Sequence, residues 1–212
     1  MARPQAFDTA HAVRAARDLF WEHGYDATSV SDLERVTGIN RSSLYNAFGS
    51  KRGLFDHAVR DYLDVVVGPR IAVLRAPGAG PADVVEYLER LAGVLADENA
   101  RSARLGCLLV NASTSLAARD DDLALVVDTY RGDLVAAFTA ALDGDLPDAA
   151  RRARVTAGLT ISALSIARTS PAAAVELLDD AADDLRSALS ALSPRPARSA
   201  DPTTSEESPC SV

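Results

Sequence analysis

The chain has 212 residues, of which 48% are hydrophobic and 25% charged, a composition typical of globular proteins. Its 40 alanines and 5% aromatic residues favour closely packed helices. Two cysteines, Cys107 and Cys210, exclude a disulfide framework. No apolar run reaches the roughly 18 residues of a membrane span, and the first residues lack the apolar stretch of a signal peptide. We therefore expect a reduced, cytoplasmic protein of one or two domains.

The net charge of −8 is unevenly distributed. Residues 1–62 carry eight basic and eight acidic side chains, whereas the remainder carries 14 basic and 22 acidic ones. The acidic excess argues against a protein that coats nucleic acid nonspecifically, but the neutral first segment predicts a separate unit with a different surface. The basic residues are 21 arginines and a single lysine, Lys51.

Apolar side chains recur at helical spacing, with glycine, proline and capping residues at the breaks. No strand pattern competes, so we expect an all-α fold. Two short helices should follow Ser29 and Asn40, and a long one should start at Lys51 and run to about Val67, resuming after Gly68-Pro69. The other expected helices cover residues 8–23, 82–96, 103–118, 121–142, 148–167 and 172–192.

The last expected helix carries an apolar seam with positions three and four residues apart. The seam consists of Val175, Leu178, Ala182, Leu185, Leu189 and Leu192. It predicts packing against other helices, either inside the chain or across a dimer interface. Residues 193–212 are rich in serine, proline and acidic residues, so we expect a disordered tail there.

Residues 24–55 have the spacing of a helix-turn-helix, with a short helix, a turn at Gly38 and a second short helix. Ser29 and Asp32 are spaced as a capping box, and Asn40 is a favourable N-cap for the second helix. In such a unit the N-terminal side chains of the second helix face base edges in the major groove. The expected contacts from this helix are Arg41, Ser42, Ser43 and Asn46.

Arg41 is the strongest candidate for base recognition, because a guanidinium matches O6 and N7 of guanine. A phosphate contact is the alternative role for Arg41. Ser42 and Ser43 are too short to specify a base strongly, and their small size allows the helix to approach DNA closely. Leu44 and Phe48 are expected in the core.

The helix-turn-helix segment resembles the TetR family of transcriptional regulators. The resemblance rests on Gly24-Tyr25, Thr28-Ser29-Val30, Gly38-Ile39, Leu44-Tyr45, Phe48 and Ser50-Lys51. It covers about a quarter of the chain closely, and the remainder agrees in architecture. A second segment, residues 105–111, is similar to one that recurs in some branches of the family. The sequence departs from the family pattern at Glu34, where a small residue is common, and at Asn46-Ala47, where aromatic residues or histidine are frequent.

The resemblance implies roles for four further residues at the DNA surface. Tyr45 and Lys51 correspond to positions that contact phosphates, and Thr28 or Ser29 holds the backbone at the start of the short helix that follows Ser29. A phenol, a hydroxyl and an ammonium are suitable phosphate donors. The alternatives are an aromatic lid on the small core for Tyr45 and a solvated charge for Lys51.

The resemblance also implies a domain organisation and a mechanism. Residues 1–62 would form a three-helix helix-turn-helix DNA-binding domain, and residues 63–192 a helical ligand-binding and dimerisation domain whose last two helices form the interface. The expected function is a homodimeric repressor on a pseudo-palindromic double-stranded DNA operator, released by an unidentified small-molecule effector. Such a ligand can lower the affinity for DNA only to the extent that it binds the conformation that does not bind DNA more tightly than the one that does.

Polar residues on the helix expected over 103–118 are candidates for the ligand site. Cys107, Asn111 and Ser115 recur every four residues beside Thr114, and a few polar groups in apolar walls are typical of such sites. Candidates from other helices are Tyr87, Tyr130, Thr156 and Thr160. Ordinary core or surface positions are the alternative for each.

Cys107 supports a second hypothesis, in which the regulator senses oxidants or electrophiles. Arg104 precedes it by three residues on the same expected helical face, and a nearby cation favours the reactive thiolate. The alternative is a buried cysteine that acts as a small hydrophobic residue.

The sequence contains no constellation typical of an enzyme. The three histidines lie in the first unit without metal-ligand spacing, and neither a phosphate-binding glycine motif nor a nucleophile elbow is present. We therefore expect no catalysis, metal or cofactor. A helical protein-interaction module would explain the seam of the last helix, but not Tyr45 and Lys51.

Overall fold

The structure is a computed structural model that describes residues 8–113, 116 and 119–192. Within these ranges it is helical and contains no strand, so the all-α prediction is confirmed. The expected tail at 193–212 and the ligand candidates Thr114 and Ser115 lie outside the described residues. The helices are α1 Thr9–His23, α2 Val30–Thr37, α3 Arg41–Phe48, α4 Lys51–Tyr62, α5 Gly68–Ala72, α6 Pro81–Ala96, α7 Arg101–Leu105, α8 Leu108–Ser113, α9 Asp121–Leu142, α10 Ala149–Ile166 and α11 Pro171–Leu192.

The first unit, α1 to α4, has α1 packed against both α2 and α4. Its core is formed by apolar side chains that the helical periodicity points inward, among them Phe20, Leu33, Leu44, Leu54 and Phe55. Side chains cap each helix start, as at Ser50, whose hydroxyl accepts the Gly53 amide at 3.0 Å. These caps satisfy amides that short helices leave without partners, so α2 and α3 are held in a fixed geometry.

The long helix expected from Lys51 continues beyond Val67, but its geometry changes along the way. After α4 a π-helical turn covers Leu63–Val67, α5 follows, and a 3-10 turn at Val73–Arg75 ends the segment. Pro69 is the second residue of α5, and it has no amide to donate to the preceding turn. The wider π turn therefore lets the chain pass Gly68-Pro69 without the gap that the sequence suggested.

The second unit, α5 to α11, is held together by packing of α6 against α11, of α9 against α10, and of α10 against α11. In the seam of α11, Leu178, Ala182 and Leu185 are buried, Val175 and Leu189 are partly buried against the core, and Leu192 is exposed. Most of the seam therefore packs inside the chain, which was one of its two interpretations. No helix in the described ranges is long and apolar enough to cross a membrane.

The single helix predicted over residues 103–118 is wrong, because the helix breaks at Gly106. α7 ends at Leu105 and α8 begins at Leu108. Gly106 has a φ of +68°, and a Cβ atom there would lie 2.5 Å from the carbonyl oxygen of Leu164 on α10. Close packing against α10 therefore requires a glycine, and its left-handed backbone ends the helix.

Two side chains satisfy the backbone carbonyls at this break. The Asn111 amide donates to the carbonyl of Leu105 at 2.8 Å, and the Trp21 indole donates to the carbonyl of Gly106 at 3.2 Å. Since Trp21 lies on α1, the second hydrogen bond joins the first unit to the second.

Candidate DNA-binding surface and ligand site

The second helix of the helix-turn-helix, α3, has one buried face and one polar face. Leu44 is fully buried and Phe48 is 8% exposed, so both belong to the core as predicted. The Asn40 side chain accepts the Ser43 amide at 2.9 Å and starts the helix. Ser43 is half-buried, and the exposed candidates for DNA contact are Arg41, Ser42, Tyr45 and Asn46.

Arg41 and Tyr45 lie one helical turn apart and interact with each other. The guanidinium carbon of Arg41 is 5.8 Å from the centre of the Tyr45 ring. The Tyr45 side chain is 38% exposed, so it is not a closed lid on the core. Arg41 and Tyr45 therefore each offer a hydrogen-bond donor on the same exposed face of α3.

Glu34, which departs from the family pattern, has a specific contact in the structure. Its carboxylate accepts a hydrogen bond from the backbone amide of Arg41, the first residue of α3. A carboxylate is stabilised at a helix N-terminus by the free amides and by the helix dipole. Glu34 therefore links α2 to the start of α3.

Lys51 begins α4 and lies over an aromatic ring. Its ammonium is 4.2 Å from the centre of the Tyr25 ring, which in turn packs against Phe20 and Phe55. Burial lowers the pKa of Lys51, and the nearby Asp26 carboxylate partly opposes this shift. A cation at a helix N-terminus is unfavourable unless an anion approaches, which suits a phosphate contact.

Thr28 and Ser29 form the start of α2. Thr28 is buried, and its hydroxyl donates to the carbonyl of Gly24 at 2.7 Å. Ser29 is exposed and forms the predicted capping box with Asp32. The Ser29 hydroxyl bond to Asp32, with help from Arg35, lowers the pKa of that carboxyl group to about 2. Thr28 therefore positions the backbone before α2, whereas the Ser29 side chain is exposed and can also contact DNA.

The structure brings Tyr87 and Tyr130, two predicted ligand residues, together with Cys107 and with the buried Tyr62 at the end of α4. The side chains of Tyr62 and Tyr130 lie close to the Cys107 thiol, and Tyr87 is nearby on α6. Burial raises the pKa of all three tyrosines, so they are neutral phenols at physiological pH. Nearby Arg70 opposes this shift in each case.

Two other ligand candidates, Thr156 and Thr160, do not line the cavities beside this cluster. Thr156 and Thr160 are buried in α10, where the Thr160 hydroxyl donates to the Thr156 carbonyl at 2.8 Å. The Asn111 side chain donates to the backbone carbonyl of Leu105 at the break before α8.

Arg104 does not share a helical face with Cys107, and that prediction is wrong because the Gly106 break separates them. Arg104 is exposed at the end of α7, whereas Cys107 is 1% exposed between α7 and α8. Arg104 instead lines a surface groove with residues of α11 such as Val175.

Two adjoining cavities lie beside the tyrosine and cysteine cluster. The outer one has a volume of about 260 Å³, and the inner one, lined by Tyr62 and Tyr130, holds only about 10 Å³. Arg70, Tyr87 and Leu91 line both and therefore stand between them. Sequence reasoning missed Arg70, which follows Gly68-Pro69 in a segment whose helical register was undetermined.

Comparison with known proteins gives consistent matches to bacterial regulators. Residues 12–58 match the family described as bacterial regulatory proteins, tetR family. The chain is 33% identical over 138 residues to the uncharacterized HTH-type transcriptional regulator YezE of Bacillus subtilis (strain 168), covering 65% of the chain and 70% of YezE. It is 32% identical over 123 residues to the HTH-type transcriptional repressor ComR of Escherichia coli (strain K12), covering 58% of the chain and 57% of ComR.

A solved structure extends the similarity over both units. It is a cysteine-substituted TetR family transcriptional regulator, CifR, in complex with a 26-bp double-strand operator DNA. The TM-score is 0.74 at 26% sequence identity, and the alignment covers 86% of this chain and 98% of that chain. The helical unit that follows the helix-turn-helix is therefore similar as well.

Proposed function

We propose a function for this chain, which belongs to the TetR family of bacterial regulatory proteins. It is a homodimeric repressor that binds a pseudo-palindromic operator and is released from it by a small molecule. Membership makes the chain a transcriptional regulator and not an enzyme. The observation that carries the proposal is the polar face of α3, where Arg41 and Tyr45 are exposed beside each other above a buried Leu44.

We assign DNA binding to residues 1–62, and dimerisation and sensing to residues 63–192. Thr28, Ser29, Arg41, Ser42, Ser43, Tyr45, Asn46 and Lys51 form the DNA-binding set. Within it, Arg41 contacts a base edge and Lys51 a phosphate, because a guanidinium matches guanine and a lone ammonium does not specify a base.

The dimer is assigned to the exposed faces of α10 and α11. Val155 on α10 is 50% exposed, next to exposed Arg151 and Arg154, whereas the exposed residues of α11 include Glu176 and Asp180. When α10 of one subunit packs on α11 of a second copy, basic and acidic side chains meet around an apolar centre. A two-fold dimer presents the same helix to each half of an inverted repeat.

Coupling between ligand and DNA follows from one aromatic contact. Tyr62, in the tyrosine and cysteine cluster, packs edge to face on Trp21 of α1 with ring centres 4.9 Å apart. A ligand that moves Tyr62 therefore moves α1 and the helices packed on it. The ligand weakens operator binding by the difference in its affinity for the two conformations.

The test is selection of duplexes from a random DNA pool with the purified chain of 212 residues, followed by binding to the enriched site at several salt concentrations. We expect an inverted repeat whose affinity falls linearly with the logarithm of salt concentration. Failure to enrich any sequence at low salt contradicts the proposal for the ligand-free protein.

A second candidate function is sensing of electrophiles or oxidants through Cys107. It is favoured by the position of this thiol between Tyr62 and Tyr130, next to the Gly106 carbonyl that Trp21 contacts. A group added to the sulfur would strain the junction of the two units. Its burial opposes the idea, because reaction requires access to the thiolate.

Thiol labelling of a Cys210→Ser variant at neutral pH tests this second function, since Cys107 is then the only cysteine. A sensor should react faster than a free thiol and lose operator affinity on modification. A Cys107 that reacts only on unfolding is a core residue.

A further inference from the structure

Arg70 differs from the other partly buried arginines that the structure describes. Those that form ion pairs with aspartates are Arg17, Arg52, Arg101 and Arg152. Within the described ranges Arg70 has no carboxylate partner, and its guanidinium donates one hydrogen bond of 2.9 Å to the hydroxyl of buried Ser102. A partly buried cation without a counter-ion is unfavourable, so the site is suited to an anion supplied from outside.

The surrounding phenols cannot supply that negative charge. Tyr62, Tyr87 and Tyr130 lie close enough for Arg70 to affect their ionisation, but burial keeps all three protonated. The Tyr87 hydroxyl forms no hydrogen bond with another described residue. Arg70 and Tyr87 therefore offer a positive charge and a hydrogen-bond donor without an acceptor between them.

Apart from Arg90, the other residues that line the cavity beside these two groups are apolar. Arg70 and Tyr87 line the outer cavity of about 260 Å³, together with Val73, Leu91 and Val94. This volume lies near the lower end of small-molecule sites. Arg90, a second arginine at this cavity, is exposed and pairs with Glu86 at 2.5 Å, so its charge is already compensated.

We propose that this cavity binds a small monocarboxylate with an apolar body, of the aromatic or medium-chain aliphatic class. The carboxylate contacts Arg70 and the Tyr87 hydroxyl, and the body lies against Val73 and Leu91. One guanidinium balances a single negative charge, a cationic ligand would be repelled, and a neutral one would leave Arg70 unpaired. This inference deepens the proposed function, on which it rests, by naming the chemical class of the effector.

Thermal unfolding and calorimetric titration of the full chain test the proposal with matched probes. We expect benzoate or octanoate to raise Tm saturably, whereas benzamide and octanamide, which lack the charge, do not. In Arg70→Gln the affinity for the acid should fall by about tenfold or more, as expected for loss of a hydrogen bond to a charged group. Arg90→Gln is the matched control and should bind the acid as the wild type does.

Two further results separate ligand binding from a purely structural role of Arg70. Without ligand, Arg70→Gln should have a Tm equal to or above that of the wild type, because it removes an unpaired cation. Arg70→Lys should retain part of the affinity for the acid. The proposal is overturned if neither acid stabilises the wild type, if acids and amides stabilise it equally, or if Arg70→Gln unfolds at a lower temperature and still binds the acid as the wild type does.

Operator binding measured on the same samples keeps this inference distinct from the proposed function. Acid binding that leaves operator affinity unchanged supports the site and contradicts ligand-induced release. Operator binding without any effect of the acids on Tm overturns the site and leaves the regulator intact.

Discussion

The indole nitrogen of Trp21 on α1 donates a hydrogen bond to the carbonyl oxygen of Gly106, 85 positions further along the chain. Both residues are buried, and the carbonyl belongs to the break between α7 and α8. Replacing Trp21 by Phe keeps an aromatic ring against Tyr62 but leaves this carbonyl without its donor. We expect Trp21→Phe to lower the free energy of unfolding by about 1–3 kcal/mol, measured by urea denaturation. A change below about 0.5 kcal/mol would show that water replaces the indole.

The close approach of Gly106 to Leu164 predicts a large effect of a single methyl group. Gly106→Ala forces a left-handed alanine and a contact of 2.5 Å with a backbone oxygen, whereas Gly144, with a φ of +84°, has open space around its Cβ position. Gly144→Ala should therefore lower the free energy of unfolding by about 1–2 kcal/mol through conformation alone. Gly106→Ala should add about 1–3 kcal/mol through overpacking. Equal losses in the two variants would contradict the steric account.

Arg41 and Lys51 should respond differently to substitution on the selected operator. Arg41→Gln should reduce discrimination at one base pair of each half-site by about 1–3 kcal/mol. Lys51→Gln should weaken operator and unrelated duplexes alike and reduce the salt slope by about one. Both are measured by competition binding at several salt concentrations. A uniform loss for Arg41→Gln would identify Arg41 as a phosphate contact.

Val155 tests the proposed dimer. A glutamate there would place a charge at the centre of the α10 and α11 face, where burial without a partner is unfavourable. We expect Val155→Glu to be monomeric in sedimentation experiments and to retain its helical content. Val65, on the π turn, is also exposed, at 56%, and Val65→Glu is the matched control that should stay dimeric. If Val155→Glu remains dimeric, the dimer interface lies on another surface of the chain.

Because of the capping box of α2, the free energy of unfolding depends on pH in the acidic range. The Ser29 hydroxyl and Arg35 lower the pKa of Asp32 from 3.8 to about 2, so the ionised carboxylate favours the folded state. This contribution is complete above pH 3.8 and is lost as the pH falls towards about 2. The free energy of unfolding of Asp32→Asn should therefore change less with pH over this range than that of the wild type. Parallel curves for the two proteins would contradict the assigned role.

The sequence predicted the first unit well because its signals are local. Ser29, Asn40 and Gly38 specify caps and a turn within a few residues, and the structure has each of them where expected. The break at Gly106 is different, since it depends on the carbonyl of Leu164, 58 positions away, which no local pattern reveals. Arg70 was missed for a related reason: the π turn before it alters the helical register, so periodicity does not indicate which way it faces.

Glu34 has a consequence for how the protein searches for its site. Its carboxylate lies at the tip of α3, the end that approaches the DNA. The carboxylate repels every phosphate in the same way, whatever the sequence, whereas Arg41 gains its full contact only where a suitable base is present. Because this repulsion is the same on every sequence, Glu34 should shorten stays on unrelated DNA and on the operator by similar factors, and the Arg41 base contact keeps the operator complex the longer-lived of the two. A larger fraction of the protein is then free to sample new sequences.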